Sequence, residues 1–228
     1  MKISLLHPSR GRSKQAFETA DTWLDRSSKK YAIQYIMCVD SDDADLNQYT
    51  KALFLFRDIE SIYNHLMGFH FSIVEKPNYV VHAVNEAANM ATGDMLIMVS
   101  DDFEPPFDWD ISLMQAIQNK MNQSFVVMVS DNCNKKRDVI TLPIMSAKAY
   151  RQFGYFFHPA FKSMWADNYL YYQAREKGLL VDARHIVFTH HHFTNDNVPL
   201  RNPVDETYVR SNNFYKEGEQ IFLQLTNQ

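Results

Sequence analysis

The chain has 228 residues, 46% of them hydrophobic and 22% charged, with a formal net charge of −4. This composition suits a globular chain with a sizeable core. It excludes the strongly basic surface of a general nucleic-acid or acidic-membrane binder, though not a local basic groove. Two cysteines, Cys38 in an apolar run and Cys133 in a polar loop, make no disulfide framework and point to a reducing compartment. The apolar start is too short for a signal peptide, and no stretch approaches the ~20 apolar residues of a membrane helix, so the expected location is cytoplasmic.

Ile3 to Leu6 reads as a first strand, broken by His7-Pro8. The loop Ser9-Arg10-Gly11-Arg12 leads into a helix that Ser13 would cap, with Ala16, Phe17, Ala20, Trp23 and Leu24 at helical spacing. Ile33 to Val39 is a second strand running into Asp40-Ser41-Asp42-Asp43. A helix is expected around Ala52 to Tyr63 and a third strand over Phe71 to Val74, leading into Lys76-Pro77-Asn78. Val80, Val84, Ala87, Ala88 and Ala91 mark the next helical face. Gly93-Asp94 then opens Met95 to Val99, an apolar run of the kind buried on both faces of a sheet. Asp101, Asp102 and Glu104 stand at its C-terminal end, before Pro105-Pro106. The alternation of strands and helices argues a mostly parallel central sheet flanked by helices on both faces, an α/β fold.

The second half is less regular. Asp110, Leu113, Met114, Ile117 and Met121 mark a helix, and Phe125 to Val129 and Ile140 to Met145 read as strands. Ser146 to Phe153 is a short helix before the aromatic loop Tyr155-Phe156-Phe157. Trp165-Ala166-Asp167-Asn168 opens a helix that Gly178 ends as a C-cap. Leu180-Val181 and Ile186 to Thr189 are strand-like, and the latter runs into His190-His191-His192. The polar tail finishes in a helix around Glu217 to Leu225. No repeat or linker divides the chain.

In a parallel sheet the loops at Pro8 to Arg12, Asp40 to Asp43, Lys76 to Asn78 and Asp101-Asp102 gather at one edge, where ligands of open α/β sheets bind. Neither a G-x-G-x-x-G nor a G-x-x-x-x-G-K-[ST] loop is present. Phosphates would therefore be held by a metal and by side chains, with Arg10 and Arg12 supplying charge. Each feature also has a plainer reading. An Asp pair can be a solvated strand exit, Asp167 an N-cap, the histidines an exposed run, and the aromatics around Trp165 core packing.

Together, strand-Pro-x-Arg-x-Arg, strand-Asp-Ser-x-Asp, Gly-Asp-strand-Ser-Asp-Asp-Phe-Glu-Pro and a later Ala-Asp opening a helix resemble the GT-A fold of family-2-type glycosyltransferases. The resemblance covers residues 3 to 193, leaving 194–228 as a C-terminal extension on the same domain. It implies a nucleotide-sugar donor, a UDP-sugar favoured, with Asp40 at its base and Asp101 at its ribose or the metal; Pro8, Arg10, Arg12, Lys76 and Asn78, on the loops gathered at the same edge, complete the expected donor set. It also implies Mn²⁺ or Mg²⁺ on Asp102 with His190 or His192, and Asp167 as catalytic base. Where the family has Glu-Asp before the acceptor helix, this chain has Ala166-Asp167.

The same roles follow from chemistry. A divalent cation neutralises the charge growing on a departing diphosphate, and one carboxylate at a helix N-terminus can take the acceptor's proton. A single base without a covalent partner suits direct displacement with inversion. The acceptor is a glycan or a modified nucleic acid base. A nucleotidyltransferase would want a glycine-rich loop after the first strand, which this chain lacks, and a non-catalytic nucleotide-sugar-binding module would not need Asp167.

Overall fold

The computed structural model describes residues 1–60, 62–76, 78–133, 139–192, 195, 198–199 and 206–227. Strands β1 (Lys2–Ser9), β2 (Ala32–Asp40), β3 (Leu66–Val74) and β4 (Met95–Met98) alternate with helices α1 (Ser13–Asp25), α2 (Leu46–Glu60) and α3 (Val80–Asn89). A short β5 (Phe103–Glu104) and helix α4 (Trp109–Ala116) follow. Then come β6 (Val126–Ser130), β7 (Ile144–Ser146), α5 (Ala147–Phe153), α6 (Ala166–Glu176), β8 (Leu180–Val187) and β9 (Thr189–His190). Helices α7 (Glu206–Asn212) and α8 (Tyr215–Thr226) end the described chain.

Seven strands form one sheet in the order β3-β2-β1-β4-β7-β6-β8, and β5 pairs with β9 separately. All pairings in the large sheet are parallel except those of β7, which runs antiparallel to both β4 and β6. This is the mostly parallel α/β architecture expected from the strand–helix alternation.

The central strands alternate their side chains between two cores. Ile3, Leu5, Ile33, Tyr35, Met37, Met95 and Ile97 pack with Phe17 and Trp23 of α1 and Trp109 of α4. Leu6, Ile36, Cys38 and Leu96 face the other way, onto Val84 and Ala87 of α3 and Leu170 of α6. Period-two alternation inside an apolar run explains why these strands carry no polar face.

Several boundaries differ from the sequence reading. β1 is not broken at His7-Pro8 but continues to Ser9, pairing with β2 through Pro8↔Cys38. Proline is tolerated because the ladder to β4 ends at Leu6, so its missing N–H needs no partner on that side. Ser13 does not cap α1; the cap position is Arg12, without a side-chain cap hydrogen bond. α2 begins at Leu46 and β3 at Leu66, both earlier than their apolar spacing suggests. β3 is an edge strand whose Gly68 and His70 interrupt the apolar run. β7 covers only three residues, because Pro143 precedes it. The strand-like piece at 180–181 and the start of that at 186–189 belong to the single strand β8, its polar middle on an edge, while Thr189 opens β9.

Candidate active site

The acidic loop is fixed from below by α1. The Asp101 carbonyl accepts hydrogen bonds from Gln15 Nε2 at 2.8 Å and Thr19 Oγ1 at 3.2 Å. Trp23 Nε1 donates to the Phe103 carbonyl at 3.3 Å, and Phe103 N–H closes a turn onto Ser100 at 3.0 Å. This turn sends the two neighbouring carboxylates in different directions.

Asp101 points back to β1. Its carboxylate meets His7 Nε2 at 2.9 Å and Ser9 Oγ at 2.9 Å, with Arg12 Nη1 at 4.0 Å. The other His7 nitrogen, Nδ1, lies 2.7 Å from the Tyr35 hydroxyl in the core. A neutral Nε2–H imidazole satisfies both neighbours, accepting from Tyr35 and donating to Asp101. Asp101 is thus an anchored carboxylate at the cavity floor.

Asp102 points to the histidine run. The β5–β9 ladder places Phe103 opposite His190, and the two rings stack with centroids 4.1 Å apart. His190 Nε2 comes within 3.3 Å of Asp102 Oδ2. Ser100 Oγ donates to Oδ1 at 2.6 Å and Tyr208 Oη to Oδ2 at 2.7 Å. Burial alone would raise the Asp102 pKa, but the His190 hydrogen bond and charge, with the Ser100 and Tyr208 hydroxyls, outweigh it. The carboxyl is held well below the usual carboxylate range, so it is ionised at neutral pH.

The cavity between these groups measures about 310 Å³. It opens at the C-terminal strand ends and takes in Pro8, Arg10, Arg12, Asp40, Asn78, Asp101, Asp102, His190 and His192. Nine of the expected site residues are therefore brought together. Asp40 Oδ2 accepts from Arg10 Nη1 at 2.7 Å. Burial lifts the Asp40 pKa above its ordinary value, opposed by the Arg10 hydrogen bond and by the charges of Arg10 and Arg210. Asn78 is buried, and its Oδ1 has no hydrogen-bond partner among the described residues.

Two expectations fall outside this cavity. Lys76 is exposed at the end of β3 and does not line it. Asp167 lines a neighbouring cavity of about 380 Å³ with Trp165, Asn168 and Tyr215. The two cavities share Thr141 and Met164 in their walls. Asp167 is not an N-cap: Trp165 holds that position with φ +72°, and Asp167 sits in the first turn of α6, accepting from Asn168 N–H at 2.9 Å. Of the three histidines, His191 turns away, its ring nitrogens 3.0 Å from Glu104 and 2.9 Å from the Pro199 carbonyl.

Sequence reasoning missed a whole wall. Thr207, Tyr208, Arg210 and Ser211 of α7 line the first cavity, as does Lys162. Thr207 Oγ1 donates to the Arg10 carbonyl at 3.2 Å, Arg210 donates to the Asn78 carbonyl, and the Arg12 guanidinium lies 4.9 Å from the Tyr208 ring centre. Nothing local in Glu206 to Asn212 marks this role; only the long-range fold supplies it. Asp131, Cys133 and His190 form a further group whose ligand atoms lie within 4.8 Å of one another, a set that could hold a metal ion.

The mostly parallel seven-stranded sheet, with an acidic pair at the exit of β4 and a histidine from β9 facing it, has the GT-A fold. No protein-family model and no curated protein matches the sequence. Among solved structures, this fold is similar to S. aureus TarS residues 1–349, with TM-score 0.64 and 13% identity, over 84% of this chain. The same protein in complex with UDP-GlcNAc gives TM-score 0.61 at 13% identity over 82% of this chain and 57% of that one. The Pyrobaculum calidifontis mannosyltransferase, in complex with GDP-Man and Mn²⁺, gives 0.60 at 13% identity over 83% of this chain and 56% of that one. This chain spans only 61% of the TarS 1–349 chain. Among the described residues, no helix is long and apolar enough to cross a membrane.

Proposed function

We propose that the chain is a metal-dependent glycosyltransferase moving a sugar from a nucleoside-diphosphate sugar to an acceptor hydroxyl with inversion. The observation that carries this reading is the Asp102–His190 pair, 3.3 Å apart, in a cavity walled by Arg10, Arg12, Lys162 and Arg210. A carboxylate ionised at neutral pH beside imidazole fits Mn²⁺ or Mg²⁺, with His192 on the same wall as a further ligand. When bound, the cation would neutralise the diphosphate as the glycosidic bond breaks.

The protein's own residues do the rest. Arg10, Arg12, Lys162 and Arg210 bind the anionic donor, and Asp40 and Asn78 meet its base, with Pro8 and Asp101 forming the floor. Asp167 takes the acceptor's hydroxyl proton onto its carboxylate. Trp165 and Tyr215 line the cavity beside it, aromatic groups that suit a glycan or a modified nucleic acid base as acceptor. Residues 1–193 and the extension 194–228 act as one unit, since α7 supplies part of the donor wall.

The first test is incubation with UDP-sugars and GDP-sugars plus Mn²⁺, following nucleotide release. The two neighbours bound to UDP-GlcNAc and GDP-Man motivate both panels, with UDP-sugars taken first. Release that is abolished in Asp167→Asn supports the transferase. Tight donor binding without release, with any acceptor or water, would instead make the chain a nucleotide-sugar-binding module.

A further inference from the structure

The donor-side pair does not use every metal-ligating group nearby. We infer that Asp131, Cys133 and His190 form a second, thiophilic cation site, suited to Zn²⁺ and sharing its imidazole with the Asp102 position. The carboxylate, thiol and imidazole ligand atoms all lie within 4.8 Å of one another, a spacing that a modest closure brings onto one ion.

The site is built into the sheet edge. β9 runs beside the end of β6, with His190 N–H donating to the Asp131 carbonyl at 3.1 Å and Phe188 N–H to the Ser130 carbonyl at 2.9 Å. Asp131 is buried, and its carboxylate is oriented on both oxygens: Cys133 N–H donates to Oδ1 at 2.9 Å and Thr141 Oγ1 to Oδ2 at 3.1 Å. Outer partners of this kind fix a ligating carboxylate's direction. His190 and Cys133 are half-buried.

Ligand chemistry separates this site from its neighbour. Mn²⁺ and Mg²⁺ prefer oxygen donors with at most an imidazole, whereas a thiolate with imidazole and carboxylate selects Zn²⁺ and its softer relatives. On binding, the Cys133 S–H bond breaks, its proton passes to solvent, and a sulfur–metal bond forms without change of oxidation state. A cation held here draws His190 away from Asp102. Zn²⁺ should therefore raise the Mn²⁺ concentration the protein needs for nucleotide binding.

The test is a titration of the whole protein with Co²⁺, a spectroscopic stand-in for Zn²⁺, following thiolate-to-cobalt charge-transfer absorption. The band should saturate at one equivalent, disappear in Cys133→Ser, and need roughly tenfold or more Co²⁺ in Asp131→Asn. Asp102→Asn should keep the band, since the second site does not use Asp102. Thermal melts by circular dichroism confirm that each variant is folded. Absence of a band in the wild type, or its survival in Cys133→Ser, would overturn the site; its loss in folded Asp102→Asn would reduce the two positions to one. The band does not depend on nucleotide. It can therefore be present while nucleotide binding proves metal-independent, a result that would sink the transferase reading and leave this site standing.

Discussion

The wall of the cavity built from β1, β2 and β4 is held by backbone ladders and buried hydrogen bonds, whereas the side built from α6, α7 and α8, shared between this cavity and its neighbour, is held by side-chain contacts. On the first wall, Asp101 is tied to His7 and Ser9 one strand away, and Gly93 lets the loop before β4 press against β1. On the second, α6 carries Asp167 and is positioned by α8: Phe222 packs on Trp165 with ring centres 5.2 Å apart. Gly218 sits so close that a Cβ there would clash with the Met164 carbonyl oxygen. The difference teaches that Asp101 is placed by contacts along the sheet, while Asp167 is placed by residues far from it in the chain.

The largest expected effect lies on the packed wall. Asp167→Asn keeps the side chain's size, so the fold and donor affinity should persist while turnover falls by roughly 10²–10⁴, the usual worth of a general base. Steady-state kinetics beside donor calorimetry measures both. Near-normal turnover would send the search for a base to Asp131 or Glu104. Joint loss of binding and turnover would give Asp167 a structural or metal-linked role.

Gly218→Ala sharpens the contrast by acting at a distance. The new methyl meets backbone rather than a flexible side-chain end, so α8 must shift away from α6 at a cost of about 1–3 kcal/mol. Thermal unfolding should show a midpoint lower by several degrees, about 2–4 °C per kcal/mol for a chain of this size. An unchanged midpoint would mean that α8 does not position α6.

The smallest effect is expected at the contact between the walls. Tyr208 Oη donates to Asp102 Oδ2 at 2.7 Å, so the hydroxyl competes with a cation for that oxygen. Tyr208→Phe leaves Ser100 and His190 in place and should tighten Mn²⁺ binding by a few-fold, within the ~1 kcal/mol of one hydrogen bond. Binding weakened tenfold would instead place the hydroxyl among the cation's own partners.

The same contrast explains what the sequence shows. Met95 to Val99 is apolar on both faces and Ile33 to Val39 nearly so, Gln34 excepted, so their burial, their parallel neighbours and the convergence of Asp40 and Asp101-Asp102 are all readable from local pattern. The continuation of β1 through His7-Pro8 is not. It depends on where the β4 ladder stops, a register that only the assembled sheet defines. Lys76 follows a strand like the other loops, yet β3 is the sheet's edge, and the loop there points its lysine to solvent. The sorting of His190 from His191 depends on two-residue β9, too short to carry a periodic signal. α7 is unreadable for another reason: its polar sequence lies on the cavity rather than on a hydrophobic core, so no amphipathic stripe announces it.

The central claim is that Asp102 holds the cation on which donor binding depends. Calorimetric titration of UDP and GDP into the wild type and Asp102→Asn, each with Mn²⁺ and again with EDTA, tests it directly. The account predicts that the preferred nucleotide binds the wild type at least tenfold more tightly with Mn²⁺ than with EDTA, about 1.4 kcal/mol. It also predicts that Asp102→Asn abolishes this difference while remaining folded. Equal affinity in all four conditions would contradict it, and would leave the Asp102–His190 pair as a structural contact.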